Sequence, residues 1–438
     1  MMEVPFDRRI VDDVLQRMGI ANIGDATIRQ SVAVSEEIER LTGTKFVHFE
    51  MGSPGLPACA EGVAAQKEAL DRGVACVYPN MSGITPLKEQ ASRFIKAFLN
   101  VEVNAEGCIP SVGSMMGTFA TFILCAHLDR RKDTILYIAP GFPVQPLQAK
   151  VLGYKTEQFD IYHYRDEKLR DKLESYLSKG NVAAVVYSNP NNPTWVCLTE
   201  KELQIIGELM TRYDAIAVED LAYLGMDFRK DLGKPFEPPY QATVARYTDN
   251  YILMLSASKI FSYAGERIAI VAISDALFNR HYDYLQEEYG MGTLGKAFVF
   301  TILYTLSSGV SHSAQYALAA MYRAACDGKL DFVAQTREYA RRAERIKAIF
   351  CRNHFHIVYD KDLDQPVSDG FFFTIGRRGF TGDRLLHEFL HYGISAISLR
   401  PTGSEQEGIR VCTSKVAPDT YDILDERLRV FDRNNPIT

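Results

Sequence analysis

Lys259 stands just after the apolar run Tyr251-Ile252-Leu253-Met254-Leu255, separated from it by Ser256-Ala257-Ser258 and followed by Ile260 to Arg267. An amine at the end of a buried strand gives up its proton readily, which suits it to attack on a carbonyl. A lone lysine in that position more often snorkels out to solvent. Two further polar clusters change that balance, because each also closes an apolar run: Val218-Glu219-Asp220-Leu221-Ala222-Tyr223 and Tyr187-Ser188-Asn189-Pro190-Asn191-Asn192-Pro193-Thr194. Taken singly, Asp220 is a helix N-cap and Asn192 a turn residue between prolines. Together the three clusters supply an amine, a carboxylate, a phenol and an amide. A fourth segment, Pro110-Ser111-Val112-Gly113-Ser114-Met115-Met116-Gly117-Thr118, precedes an apolar helix over Phe119 to Leu128. Its unpaired amides suit an anion at the positive end of the helix dipole, although the spacing matches neither a dinucleotide fingerprint nor a P-loop.

These groups need strands to carry them. Ile135 to Ile138, Ala183 to Tyr187, Ala215 to Val218, Tyr251 to Leu255 and Arg267 to Val271 are short β-branched runs, apolar on both faces and separated by helical stretches. Such strands belong in a mostly parallel sheet covered by helices, so the fold class is α/β. Ligands of such sheets bind beyond the carboxyl ends of the strands, which brings the three polar clusters to one crevice. After Ser311 the pattern turns to a long helical tract rich in Arg and Glu. Strand-like pieces follow at Phe371 to Ile375 and Ile409 to Cys412. The expected organisation is a large domain over 61–315 and a smaller, discontinuous α+β domain made of 1–60 plus 316–438. The Pro-rich stretch from Lys230 to Tyr240 reads as a surface excursion.

The chain resembles the fold-type I pyridoxal-phosphate enzymes of the class I/II aminotransferase family, over roughly Phe46 to Ser414. The resemblance rests on S-x-S-K followed by G-x-R (Ser256, Ser258, Lys259, Gly265, Arg267), on N-P-x-N-P-T (Asn189 to Thr194) and on D-x-x-Y (Asp220, Tyr223). It implies a large domain with a seven-stranded type of sheet and pyridoxal 5'-phosphate as cofactor. By that resemblance Lys259 forms the Schiff base and shuttles the proton, and Asp220 keeps the ring nitrogen protonated. Tyr223 and Asn192 serve the phenolic oxygen, and Phe142, in Ala139-Pro140-Gly141-Phe142-Pro143, stacks on the ring. Gly113, Ser114 and Met115 form the phosphate turn, with Met115 contributing only its backbone amide. Arg267, Ser256 and Ser258 complete the phosphate cup. Tyr78 reaches the phosphate of a neighbouring subunit, which implies a homodimer with shared active sites. Arg410 binds the substrate α-carboxylate, and Gly52 lies in a loop that closes over the substrate. The implied activity is transfer of an amino group between an L-amino acid and a 2-oxo acid. A lyase or decarboxylase of the same fold is the alternative. Trp195 departs from the family pattern, which has glycine after N-P-T.

Other readings are weaker. His387-Glu388-Phe389-Leu390-His391 is a literal H-E-x-x-H, the spacing of a zinc peptidase, and no histidine follows it. Asp383 to Tyr392 also reads as an ordinary amphipathic helix, so no metal is expected at the active site and a metallopeptidase is a remote alternative. Arg400 is a competing carboxylate ligand. The 438 residues are 47% apolar and 24% charged with a formal charge of −6. That composition excludes a disordered or collagenous chain and gives no field that would draw in nucleic acid. Eight scattered cysteines without a C-x-x-C pair fit a reduced compartment. The N-terminus lacks the order of an export signal, and no apolar stretch is long enough to span a membrane, so the expected location is the cytoplasm.

Overall fold

The computed structural model describes residues 4–437. The chain forms two compact units, and the larger contains Pro57–Asn191 and Cys197–Thr336. Its strands are β1 (Cys108–Ser111), β2 (Thr134–Ala139), β3 (Lys155–Asp160), β4 (Val182–Ser188), β5 (Ile216–Asp220), β6 (Tyr251–Ser256) and β7 (Ala269–Ile273). They form one seven-stranded sheet in the order β1-β7-β6-β5-β4-β2-β3. The pairs from β6 through to β3 are parallel, and β7 runs antiparallel to both β6 and β1. Every residue of β2, β4, β5, β6 and β7 is buried, which is why their sequences do not alternate. Only the edge strand β3 begins exposed and polar.

The register decides where the chemistry falls. Ser188 pairs with Asp220, and Asp220 pairs with Met254, two residues short of the end of β6. The polar clusters after β4, β5 and β6 therefore start at the same edge of the sheet. Helix His312–Cys326 packs on helices Ala60–Asp71 and Thr85–Leu99 and stays with the larger unit. A boundary after residue 315 therefore falls inside a helix of this unit, and the division lies instead within helix Phe332–Arg352.

The smaller unit collects the chain up to Leu56, the segment Asn192–Val196 and everything from Arg337 onward. It contains an antiparallel sheet of β8 (His356–Ile357), β9 (Phe372–Gly376), β10 (Ile397–Ser398) and β11 (Ile409–Cys412), in the order β10-β11-β9-β8. Phe46, Phe49, Phe350, Phe355, Phe389 and Phe431 supply much of its core. Among the described residues no helix is long and apolar enough to cross a membrane.

Candidate active site

In the larger unit Asp220 is buried at the end of β5. Its Oδ1 accepts from the Ala222 amide at 3.1 Å and its Oδ2 from Gln145 Nε2 at 3.2 Å. Burial pushes this carboxyl up to about 6, against the opposing pull of the Ala222 and Gln145 bonds and the positive charge of Lys259. Lys259 is half-buried in the four-residue helix Ala257–Ile260, which starts where β6 stops. Ser256 caps that helix, its Oγ accepting from the Ser258 amide at 3.1 Å. Tyr223 is buried just beyond β5. Phe142 lies in the turn between β2 and helix Val144–Val151, its carbonyl accepting from the Gln145 amide at 3.1 Å.

The candidate anion cradle is the start of helix Gly113–Cys125. Val112 provides no side-chain cap there, so the first amides are not spent within the chain. Gly113 has φ +67, and a Cβ on it would stand 2.4 Å from Nη2 of Arg267. The guanidinium thus lies against the turn, while its Nη1 donates to the Ala264 carbonyl at 2.9 Å. Among the described residues, Ser114 Oγ is buried without a hydrogen-bond partner. Met115 is exposed, and its carbonyl accepts from Gln148 Nε2 at 2.7 Å.

The glutamines had no signal in the sequence. Gln145 and Gln148 lie three apart on one helix, one braced against Asp220 and the other against the Met115 carbonyl. Thr118 Oγ1 donates to Gln148 Oε1 at 2.8 Å and closes the link to helix Gly113–Cys125. Glu219, the neighbour of Asp220 in β5, is also buried; it accepts from Thr243 Oγ1 at 2.5 Å, and burial pushes it up to about 7. Tyr78 is 88% exposed.

The smaller unit holds the other candidates. Arg410, in β11, is buried and donates through Nη1 to Asn192 Oδ1 at 3.2 Å, and through Nη2 to the Glu50 carbonyl. Its guanidinium lies 4.4 Å from the centre of the Phe372 ring. Gly52 packs on the same ring, which a Cβ would meet at 3.0 Å. Glu50, unassigned from sequence, is buried and accepts from Ser395 Oγ at 2.5 Å, with His48 Nδ1 at 2.7 Å. Burial raises the Glu50 carboxyl, but the bonds from His48 and Ser395 outweigh it and hold the group below its ordinary value. Arg400 is taken up by Asp25 and Asp383, at 2.5 and 2.7 Å.

Trp195 keeps the left-handed turn that glycine makes easily, at φ 66. Its ring is fully buried over Gly370, where a Cβ would lie 2.1 Å from the indole, and sits 6.1 Å from Phe372. The tryptophan fastens Asn192–Val196 into the smaller unit. The H-E-x-x-H motif does form one face of helix Gly382–His391, but its Glu388 is gripped by the Arg8 guanidinium at 2.9 and 3.1 Å.

Comparison with known proteins places this geometry. The sequence profile of aminotransferase class I and II matches residues 44–428. A probable aspartate aminotransferase of Methanocaldococcus jannaschii is 25% identical over 249 residues, 57% of this chain and 62% of that protein. An aspartate aminotransferase of Sulfolobus acidocaldarius is 23% identical over 61% of this chain and 65% of its own length. The matched stretch thus spans less than two thirds of either relative. Among solved structures, an aspartate aminotransferase from Thermus thermophilus with maleate superposes with a TM-score of 0.74 at 18% identity, covering 96% of this chain and 98% of that one. That likeness concerns the fold, whereas the profile covers nearly the whole sequence and all three polar clusters: the chain belongs to the aminotransferase class I and II family.

Proposed function

We propose that this protein is a transaminase that passes an amino group from an L-amino acid to a 2-oxo acid. The donor leaves as its own 2-oxo acid and the acceptor leaves as an amino acid, so no net oxidant is consumed. Pyridoxal phosphate, the cofactor of this family, supplies the electron sink that lets a substrate α-carbon release its proton. The residues present fit it on three counts: the cradle at Gly113 that a Cβ would fill, the unpartnered Ser114 hydroxyl, and a buried carboxyl at the end of β5. The last observation carries the proposal. A carboxyl raised to about 6 by burial, one strand away from a lysine whose charge it feels, is prepared for a cation.

In this reading Asp220 holds the proton on the ring nitrogen, and Gln145 keeps its carboxylate in place. Lys259 Nζ takes the proton from the substrate α-carbon and returns it later. Gly113, Ser114 and the Met115 amide receive the phosphate with Arg267, Ser256 and Ser258, and Phe142 covers the ring. Tyr223 donates to the phenolic oxygen. The family resemblance gives Asn192 the same role, and its Oδ1 accepts from Arg410 Nη1 at 3.2 Å. Arg410 binds the substrate carboxylate, with Glu50 and Phe372 fixing its fork. A homodimer belongs to the proposal, with Tyr78 serving the partner's phosphate. Leu70, Val77, Tyr78, Phe300 and Tyr304 are all exposed on the larger unit and supply apolar surface for it. Eight free cysteines fit a reduced, cytoplasmic setting.

The half-reactions test this. An amino acid alone should bleach the cofactor's absorbance and release one equivalent of 2-oxo acid, and a second 2-oxo acid should restore the colour. Recovery without any oxo acid, accompanied by carbon dioxide or an eliminated group, contradicts transamination and favours a decarboxylase or lyase. Repeating the bleaching with a panel of donors identifies the substrate side chain.

A further inference from the structure

The H-E-x-x-H motif is the chemical pattern that the transamination reading leaves unused. His387 and His391 lie one turn apart on helix Gly382–His391, their ring centres 5.2 Å apart. Helix Arg8–Arg17, in the same unit, brings Asp12 beside them, its Oδ1 3.6 Å from His387 Nε2. One ligand atom from each of the three lies within 4.8 Å of the others. His391 is 1% exposed, and among the described residues neither of its ring nitrogens has a hydrogen-bond partner. An imidazole buried in this way costs free energy unless something takes its lone pair.

The surroundings favour a cation. Arg8 is a competing positive charge, and Glu388 pairs with it in a two-pronged bond while adding its own negative charge beside His391. The same bond occupies the glutamate that a hydrolase would need as its base, so the motif is fitted for holding a metal and not for hydrolysis. A groove of about 460 Å³, lined by Asp12, Gln16, Gly19 and His387 among others, gives access and room for a water as a further ligand. Two imidazoles and one carboxylate suit zinc and its late first-row neighbours over magnesium or calcium.

We propose that Asp12, His387 and His391 bind one zinc-class divalent cation as a structural site. It ties the first helix to a helix that lies 380 residues away at the Arg8–Glu388 contact. The test uses the full-length, cofactor-loaded protein, stripped with a chelator and titrated with Zn²⁺ alone. One ion per chain should bind at micromolar concentration or below, and the thermal midpoint should climb with free Zn²⁺, whereas Mg²⁺ should do neither. Asp12→Asn and His387→Gln alter an exposed and a half-buried side chain and should fold; each should weaken binding at least about tenfold without changing the transaminase half-reactions. Co²⁺ in the same site should give a visible spectrum without a thiolate charge-transfer band, which separates it from the exposed Cys76 and Cys351. Less than stoichiometric binding, unchanged affinity in both variants, or a thiolate band would overturn the proposal.

Discussion

In the proposed site Asp220 is a single residue that trades stability for cofactor binding. Its folded carboxyl titrates at about 6 against an ordinary 3.8, so between those values the folded chain keeps a proton that the unfolded chain has released. The Asp220 contribution to stability is therefore most favourable below about pH 4, falls as the pH rises to about 6, and is a constant cost on the order of 3 kcal/mol above that. In the cofactor-free protein, Asp220→Asn should remove this slope and raise the thermal midpoint at neutral pH, as calorimetry across pH 4–8 would record. The same variant should lose about 10²–10³-fold in transamination. Wild-type cofactor affinity should improve as pH climbs through about 6, whereas that of Asp220→Asn should stay flat. Lys259, Asp220 and Tyr223 were legible in the sequence because each stands at or just beyond the end of a recognisable strand, and Arg267 because it follows Lys259 in a G-x-R pattern. Gln145, Gln148 and Glu50 were not, because a lone glutamine on a helix or a lone glutamate before a loop is indistinguishable from a surface residue until its partner is known.

At the scale of elements, Gly113 and Trp195 are two positive-φ residues in segments assigned to the proposed site. Gly113→Ala sets a side chain at φ +67 against Arg267, and should weaken binding of the phosphorylated cofactor by roughly 1–3 kcal/mol while sparing the unphosphorylated aldehyde. Fluorescence titration of the cofactor-free protein with both forms would measure the difference. Trp195→Ala keeps the same left-handed turn but empties the space over Gly370, and should destabilise the smaller unit by roughly 3–5 kcal/mol in urea unfolding. From sequence the tryptophan could only be noted as a replacement for glycine. Its role depends on Gly370, a contact 175 positions away that no local pattern records.

For the whole molecule, strand composition was enough to read the class of the sheet, since strands buried on both faces carry uninterrupted apolar runs. It did not reveal the antiparallel β7, whose sequence is as apolar as that of its parallel neighbours. Nor did it place helix His312–Cys326, whose small residues pack as readily on one unit as on another; its contacts with Ala60–Asp71 and Thr85–Leu99 decide the matter. Assembly is testable at this scale. Sedimentation should give twice the 49.3 kDa chain mass, and Tyr78→Phe should leave that mass unchanged while loosening the cofactor about tenfold. A monomer that remains fully active would contradict the shared site.

The central claim is that Lys259 carries the cofactor and moves the proton, and reductive trapping tests it most directly. The holoenzyme is treated with borohydride, digested and sequenced by mass spectrometry. The account predicts one pyridoxyl group per chain, on Lys259, absent from Lys259→Ala, which should also fail to bleach with any amino acid. A label on another lysine, or an unlabelled chain that still transaminates, would contradict it.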